Sequence, residues 1–292
     1  MNNINYVTCA DIGGSHITTS IVDLNDQSVI RDTFSRKEVN AKGTWPDIRQ
    51  AWVETMKLAN TKGGFEVEKV ALAMPGPFDY ANGISYITGL DKYEAIYGLN
   101  IRELLAEELG IEPENVRFRN DAEATIAGEF FAGAGRGYAN VMGVTLGTGF
   151  GSAQFASNYC RDLNLGSKAF NDTIADDYFS TRWFLKTYYE MTGMSLSNGV
   201  KELSEMKMDN IAKKMIFSEF GINMVDFLAS PIDQLKPDIL LLCGNIAKAA
   251  PFFLPYLRKH LNVPIELATL GEQAPLIGAA AVFQYEQIMR NS

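Results

Sequence analysis

Two glycine-rich turns, each set between apolar, β-prone runs, constrain this chain more than any other feature. They are Asp11-Ile12-Gly13-Gly14-Ser15 and Leu146-Gly147-Thr148-Gly149-Phe150-Gly151. Tyr6 to Ala10 precedes the first turn and Ile17 to Asp23 follows it; Val141 to Thr145 and Ser152 to Ala156 frame the second. Glycine lets backbone N–H groups approach an anion with no Cβ in the way, and successive amides form a concave nest for phosphate. One such hairpin is weak evidence, because Gly turns between strands are common. Two, half a chain apart and framed alike, predict related half-molecules gripping one polyphosphate from both sides. That is the arrangement of a phosphoryl-transfer enzyme.

The rest of the pattern supports α/β layers in both halves. A third strand is expected over Ser28–Phe34, a helix over Asp47–Asn60 and a buried strand over Val67–Ala73. Asn100 followed by Glu103 reads as a helix cap, which places a short helix at Ile101–Leu109. Val116–Arg119 reads as a strand, and Asp121 then caps a helix to about Ala134. Between Asn158 and Asp172 no periodicity stands out. Helices are expected over Asp177–Met191, Val200–Met206 and Asp209–Ala229, then a strand at Ile239–Cys243 and a helix through Lys259. Pro264–Leu267 is one more strand, and a last helix runs from about Pro275 to Met289. A hinge between the two α/β halves is expected near Asp121–Gly137.

Charge and cysteines narrow the setting. A net charge of -9 repels nucleic acid and anionic membrane, so neither is an expected partner. No apolar stretch approaches the ~18 residues of a membrane span, and the first residues lack the basic and apolar regions of a signal peptide. Cys9, Cys160 and Cys243 are odd in number and far apart, as reduced thiols in a cytoplasmic protein would be. With no cysteine pair at ligand spacing and only His16 and His260, a structural zinc site is not expected.

Four short constellations carry possible chemistry. Asp11 ends a strand beside two glycines; a carboxylate there repels phosphate unless a divalent cation intervenes, so it reads as a Mg²⁺ partner through water. Its alternative is an Asp capping a hairpin turn. Asn120-Asp121 closes a strand and opens a helix, whose amides keep Asp121 ionised as a base for a hydroxyl proton, unless it is simply a cap. Gly244-Asn245 follows the apolar run Ile239–Cys243, where a planar ring or phosphate often lies. Pro75-Gly76-Pro77 is either a rigid substrate wall or a tight loop.

In this order the pieces resemble the ROK family of bacterial sugar kinases, within the actin-like ATPase superfamily. The matching residues are Asp11-Ile-Gly-Gly-Ser15 with Asp23, Met74-Pro-Gly-Pro77, Asn120-Asp121-Ala122 with Gly128-Glu129, Leu146-Gly-Thr-Gly149 with Gly151, and Leu242-Cys-Gly-Asn245. The resemblance implies two actin-like (ribonuclease H-like) domains, residues 1–121 with 275–292 and residues 122–274, with a nucleotide and sugar cleft between them. It makes Asp121 the base and Asn120 a sugar contact, with Gly76 and Asp176 also on the sugar side. ATP would be held by Asp11, Gly13, Gly14, Ser15, Gly147, Thr148, Gly149, Gly151, Gly244 and Asn245, with Mg²⁺ beside Asp11.

The departures bear on the acceptor. The family's Glu-x-Gly-His element, whose Glu and His contact the sugar, has no counterpart in Cys160-Arg-Asp-Leu-Asn-Leu-Gly-Ser-Lys168, and the zinc-binding cysteine cluster is absent. Sites that hydrogen-bond ring hydroxyls discriminate strongly by leaving polar groups unpaired, so plain glucose is a poor expectation. Two readings follow. One is an ATP-dependent kinase of a hexose or modified sugar. The other is a catalytically weak sugar or nucleotide sensor without a DNA-binding domain. Asp121 favours the kinase, and a homodimer stays open.

Overall fold

A computed structural model of the chain describes residues 5–89 and 91–284. The backbone divides into two compact units: one runs up to Gly133 and resumes at Glu272, and the other is Ala134–Gly271. The first opens with strands β1 (Tyr6–Ile12), β2 (His16–Asp23), β3 (Ser28–Val29) and β4 (Ser35–Glu38), then helix α1 (Trp45–Gly63) and β5 (Val70–Met74). A small hairpin, β6 (Phe78–Asp79) and β7 (Ile84–Ser85), leads to α2 (Ile101–Leu109), β8 (Val116–Asn120) and α3 (Asp121–Ala132). The sheet order is β3-β2-β1-β5-β8, with β4 also paired to β2. β1 runs antiparallel to β2 but parallel to β5, which is parallel to β8.

The second unit repeats this plan. Strands β9 (Asn140–Leu146), β10 (Phe150–Ala156) and β11 (Tyr159–Asp162) form a meander, followed by the short pair β12 (Ala169–Phe170) and β13 (Thr173–Ile174). Helices α4 (Ala175–Phe179), α5 (Thr181–Thr192), α6 (Gly199–Glu205) and α7 (Ile211–Leu235) precede β14 (Ile239–Cys243), α8 (Leu254–His260) and β15 (Ile265–Leu267). The order β11-β10-β9-β14-β15 has the same pattern of antiparallel and parallel pairs as the first sheet. α9 (Ala274–Ala280) then belongs to the first unit.

Sequence dictates these elements through burial. β5 and β14 are buried at every residue, which explains their unbroken apolar runs: a parallel strand inside an α/β sheet is covered on both faces. Each unit has its own core. Ile48, Trp52, Met56, Leu72 and Ile101 pack in the first; Phe179, Phe184, Phe217, Phe220 and Phe253 fill the second. α1 starts where the Thr44 amide and hydroxyl both donate to the Asp47 carboxylate, at 3.1 and 2.7 Å. None of the described helices is long and apolar enough to cross a membrane.

Local expectations fail where side chains or proline compete with the ladder. The strand expected over Ser28–Phe34 is two residues long before a 3₁₀ turn at Arg31–Thr33. The Thr33 hydroxyl, which donates to the Ile30 carbonyl at 2.6 Å and accepts from the Ile21 amide at 2.9 Å, holds the chain in that turn. The single helix expected over Asp177–Met191 is two, broken at Ser180, whose φ of -108° and ψ of 167° are extended. The helix expected through Lys259 is a 3₁₀ turn, Ile246–Phe252, before α8, because Pro251 lacks the amide that an α-helix needs. Of the last helix, the described part is α9; the expected continuation past 284 lies outside the described residues.

The unit boundary falls after α3, whereas the sequence placed it at 121. The reason is close helix packing. A Cβ on Gly278 would lie 1.7 Å from the Ala124 carbonyl oxygen, and one on Gly128 would lie 2.0 Å from that of Ala274. The absent side chains let α3 and α9 meet backbone to backbone within the first unit.

Candidate active site

In the first unit three adjacent parallel strands end together. Asp11 of β1 pairs with Ala73 of β5, and Met74 of β5 pairs with Asn120 of β8. This brings Asp11, the Pro75-Gly76-Pro77 turn and Asn120-Asp121 to one sheet edge, the carboxyl end where open α/β sheets bind ligands. The first glycine turn adjoins it. Gly13 closes the hairpin by donating to the His16 carbonyl at 2.9 Å. Among the described residues the exposed amides of Gly14 and Ser15 have no acceptor within the chain, which leaves two consecutive donors for an anion. From behind, the Tyr93 hydroxyl donates to the Gly13 carbonyl at 2.6 Å, with its buried ring against Trp52.

Asp11 is half-buried, and loss of solvation, reinforced by the negative charges of Asp121 and Glu272, pushes its carboxyl up to about 7 despite Arg36. The native carboxyl therefore keeps a proton that the unfolded chain loses near its ordinary value of 3.8. Stability of the protein without divalent cation falls as pH rises from about 4 to about 7, then levels off. Asp11→Asn removes that loss. Denaturant titration at pH 8 is expected to find the variant more stable than wild type, by at most about 4 kcal/mol, with the gap closing below pH 4. A variant less stable than wild type at pH 8 would overturn this electrostatic picture.

Asn120, not Asp121, is the helix cap. Its Oδ1 accepts the amides of Ala122 and Glu123 at 2.9 and 3.2 Å, and its Nδ2 donates to the Tyr80 hydroxyl at 3.2 Å. The Tyr80 hydroxyl in turn donates to the Met74 carbonyl at 3.1 Å. A Cβ on Gly76 would lie 3.3 Å from that hydroxyl, so the wall at Gly76 is backed by Tyr80. Asp121 is the first residue of α3, exposed, with one carboxylate oxygen accepting the Ala122 amide at 2.9 Å. The positive end of the helix favours its negative charge.

In the second unit the second turn presents the same chemistry. Gly147 donates to the Gly149 carbonyl at 3.1 Å, while the exposed amides of Thr148 and Gly149 have no acceptor within the chain among the described residues. Gly151 lies in β10 opposite Thr145. Gly244, at φ 89°, sits so close that a Cβ would come 2.4 Å from the Leu146 carbonyl oxygen, and it is followed by exposed Asn245. Gly244-Asn245 therefore lies beside the second glycine turn.

Asp176 is the residue expected on the sugar side. Its carboxylate accepts the Phe150 amide and pairs with Arg182, so it lies under the second turn. Arg161, too, is engaged: its guanidinium donates to Gln154 Oε1 at 3.1 and 2.7 Å. Tyr80, Tyr93, Thr181 and Arg182 are site residues that the sequence did not flag. Their contacts cross to residues far away in the chain or depend on the break at Ser180, and no local pattern encodes either.

Magnesium fits one part of this arrangement. Among the described residues no three His, Cys, Asp or Glu side chains converge to cage a metal. Mg²⁺ ordinarily takes one or two carboxylates together with phosphate oxygens and water. The negative charges of Asp121 and Glu272 acting on Asp11 are the kind of field that a divalent cation relieves.

Two units with one strand order, each with a glycine turn after its first strand, define an actin-like fold. The structure matches that of a ROK family glucokinase from Streptomyces griseus, solved with glucose and AMPPNP, with a TM-score of 0.77 and 21% identity over 95% of this chain and 98% of that one. The model of the ROK family matches residues 7–161. This chain belongs to the ROK family. It is 22% identical to the glucokinase of Thermotoga maritima over 94% of this chain and 96% of that protein. It is 27% identical to the N-acetyl-D-glucosamine kinase of Mannheimia succiniciproducens over 94% and 97% of the two.

Proposed function

We propose that this chain is an ATP-dependent kinase that transfers the γ-phosphate to a hydroxyl of a hexose or modified sugar. The observation that carries the reading is the convergence of Asp11, the Gly76 turn and Asn120-Asp121 on the ends of three parallel strands. Full-length similarity to proteins named as sugar kinases supports it.

In this reading each glycine turn is a phosphate-binding element for ATP. The paired amides of Gly14 and Ser15 and of Thr148 and Gly149 bind phosphate oxygens, and Gly244-Asn245 lies at the adenosine. Asp11 would hold Mg²⁺ through water, and the ion would supply charge neutralisation at the phosphates. Asn120 and the Gly76 wall orient the acceptor; Asn120 has one Nδ2 hydrogen beyond its bond to Tyr80 for a sugar hydroxyl. Asp121 accepts the hydroxyl proton as the phosphoryl group arrives, and because it is the first residue of α3 its position is fixed by the helix. A cytoplasmic setting supplies ATP and keeps the buried thiols of Cys9, Cys160 and Cys243 reduced.

The acceptor is expected to differ from plain glucose, because the stretch from Cys160 to Lys168 offers neither Glu nor His. An ADP-release screen across hexoses, amino sugars, N-acetylated sugars and polyols tests the reading. Sugar-dependent turnover on a member other than glucose is the expected result. Silence across the panel, with Mg-ATP still bound, would replace it with the sensor reading.

A further inference from the structure

The strongest unexplained feature outside the proposed catalytic residues is the set of side chains that grips the back of the second glycine turn. Asp176 Oδ1 accepts the Phe150 amide at 2.5 Å, and its other oxygen pairs with Arg182 Nη2. Arg182 Nη1 reaches the Thr148 carbonyl at 3.5 Å. The Thr181 amide and hydroxyl both donate to the Gly147 carbonyl, at 2.8 and 2.9 Å. Gly166 lies against the same place: a Cβ on it would stand 2.4 Å from the Phe150 carbonyl oxygen and 3.8 Å from Asp176 Cβ.

These contacts hold the carbonyls of Gly147 and Thr148 and the amide of Phe150. Among the described residues the amides of Thr148 and Gly149 are left without an internal acceptor. Peptide planes are rigid, so fixing carbonyls and the following amide also fixes where the intervening amides point. The Asp176 side chain is 24% exposed, and Arg182 neutralises the charge that would otherwise repel a nearby phosphate.

We propose that Asp176, clamped by Arg182, is a positioning residue that presets the Gly147–Gly149 turn for nucleotide phosphate and is not a contact of the acceptor sugar. This rests on the reading of that turn as part of the ATP site. The break at Ser180 makes it possible: it separates α4, which carries Asp176, from α5, which carries Thr181 and Arg182, so that both face one turn.

The test compares wild type with Asp176→Asn and Arg182→Gln. Mg-ADP affinity is measured by calorimetry, and KM for ATP and for the acceptor identified by the screen is measured in the coupled assay. Loss of the charge-assisted pair is expected to weaken Mg-ADP binding and raise KM for ATP by roughly 10- to 100-fold in both variants. KM for the sugar should change by less than about threefold, and Arg182→Lys should recover part of the loss. Arg182 is half in solvent, so the Arg182→Gln result stands alone if Asp176→Asn does not fold. Unchanged Mg-ADP affinity with a raised KM for the sugar would overturn the assignment and return Asp176 to the acceptor. Wild-type protein that binds no Mg-ADP would instead overturn the nucleotide reading of the turn, and this assignment with it.

Discussion

Asp121→Asn is expected to lower kcat about 10²- to 10⁴-fold and to leave Mg-ADP affinity unchanged. The amide is nearly isosteric with the carboxylate and its oxygen can still accept the Ala122 amide, so the start of α3 keeps its shape. It cannot take a proton from the acceptor hydroxyl. Loss of one negative charge at a helix N-terminus costs the fold at most about 1 kcal/mol at an exposed site, so the variant should remain folded. Steady-state kinetics with the acceptor found in the screen, beside calorimetry with Mg-ADP, separate the two effects. Equal sugar-dependent ATP consumption by variant and wild type would remove Asp121 from the mechanism. Equal losses in rate and nucleotide affinity would point to a displaced helix.

Gly278→Ala is expected to cause the largest loss of stability. Its Cβ would fall 1.7 Å from the Ala124 carbonyl oxygen, 2.6 Å from the carbonyl carbon and 2.7 Å from the Gly128 amide nitrogen. All three are backbone atoms, so no side chain can swing aside, and α9 and α3 must move apart. Alanine gains about 1 kcal/mol in helix propensity over glycine, but overpacking against backbone outweighs it. A net loss of about 3 kcal/mol or more is expected, which lowers the melting temperature by on the order of 10 °C. Because α3 begins at Asp121, the displacement should also reduce turnover below the melting transition. Melting within a degree of wild type would show that the two helices do not meet at these glycines.

The glycine turns, their flanking strands and the order of the motifs were legible because each is local. β1, β2, α2, β8, β9, β10 and β14 follow from apolar or alternating patterns bounded by turn and capping residues. The cap at Asn100 also follows from local chemistry. At Asn120-Asp121 the same rules permit either residue as the cap; Asn120 accepts two amides where Asp121 accepts one, and that decided it.

What escaped was long-range. No periodicity in the sequence announces that Tyr93 supports Gly13, or that α9, expected to rejoin the first domain, packs backbone to backbone on α3. Asp176 shows the difference most clearly. By sequence position it matched a sugar-binding acid of the family, yet its partners are the Phe150 amide, 26 residues earlier, and Arg182 across the Ser180 break.

The sequence by itself determined the repeated strand–turn–strand units, the two exposed glycine turns and the acid that follows β8, because backbone freedom at glycine and burial of apolar strands are encoded within a few residues. Tertiary structure alone decided which side chains hold those turns in place and how close α3 and α9 lie. Such contacts depend on where distant strands end and on side chains that are absent, and neither leaves a mark on neighbouring residues.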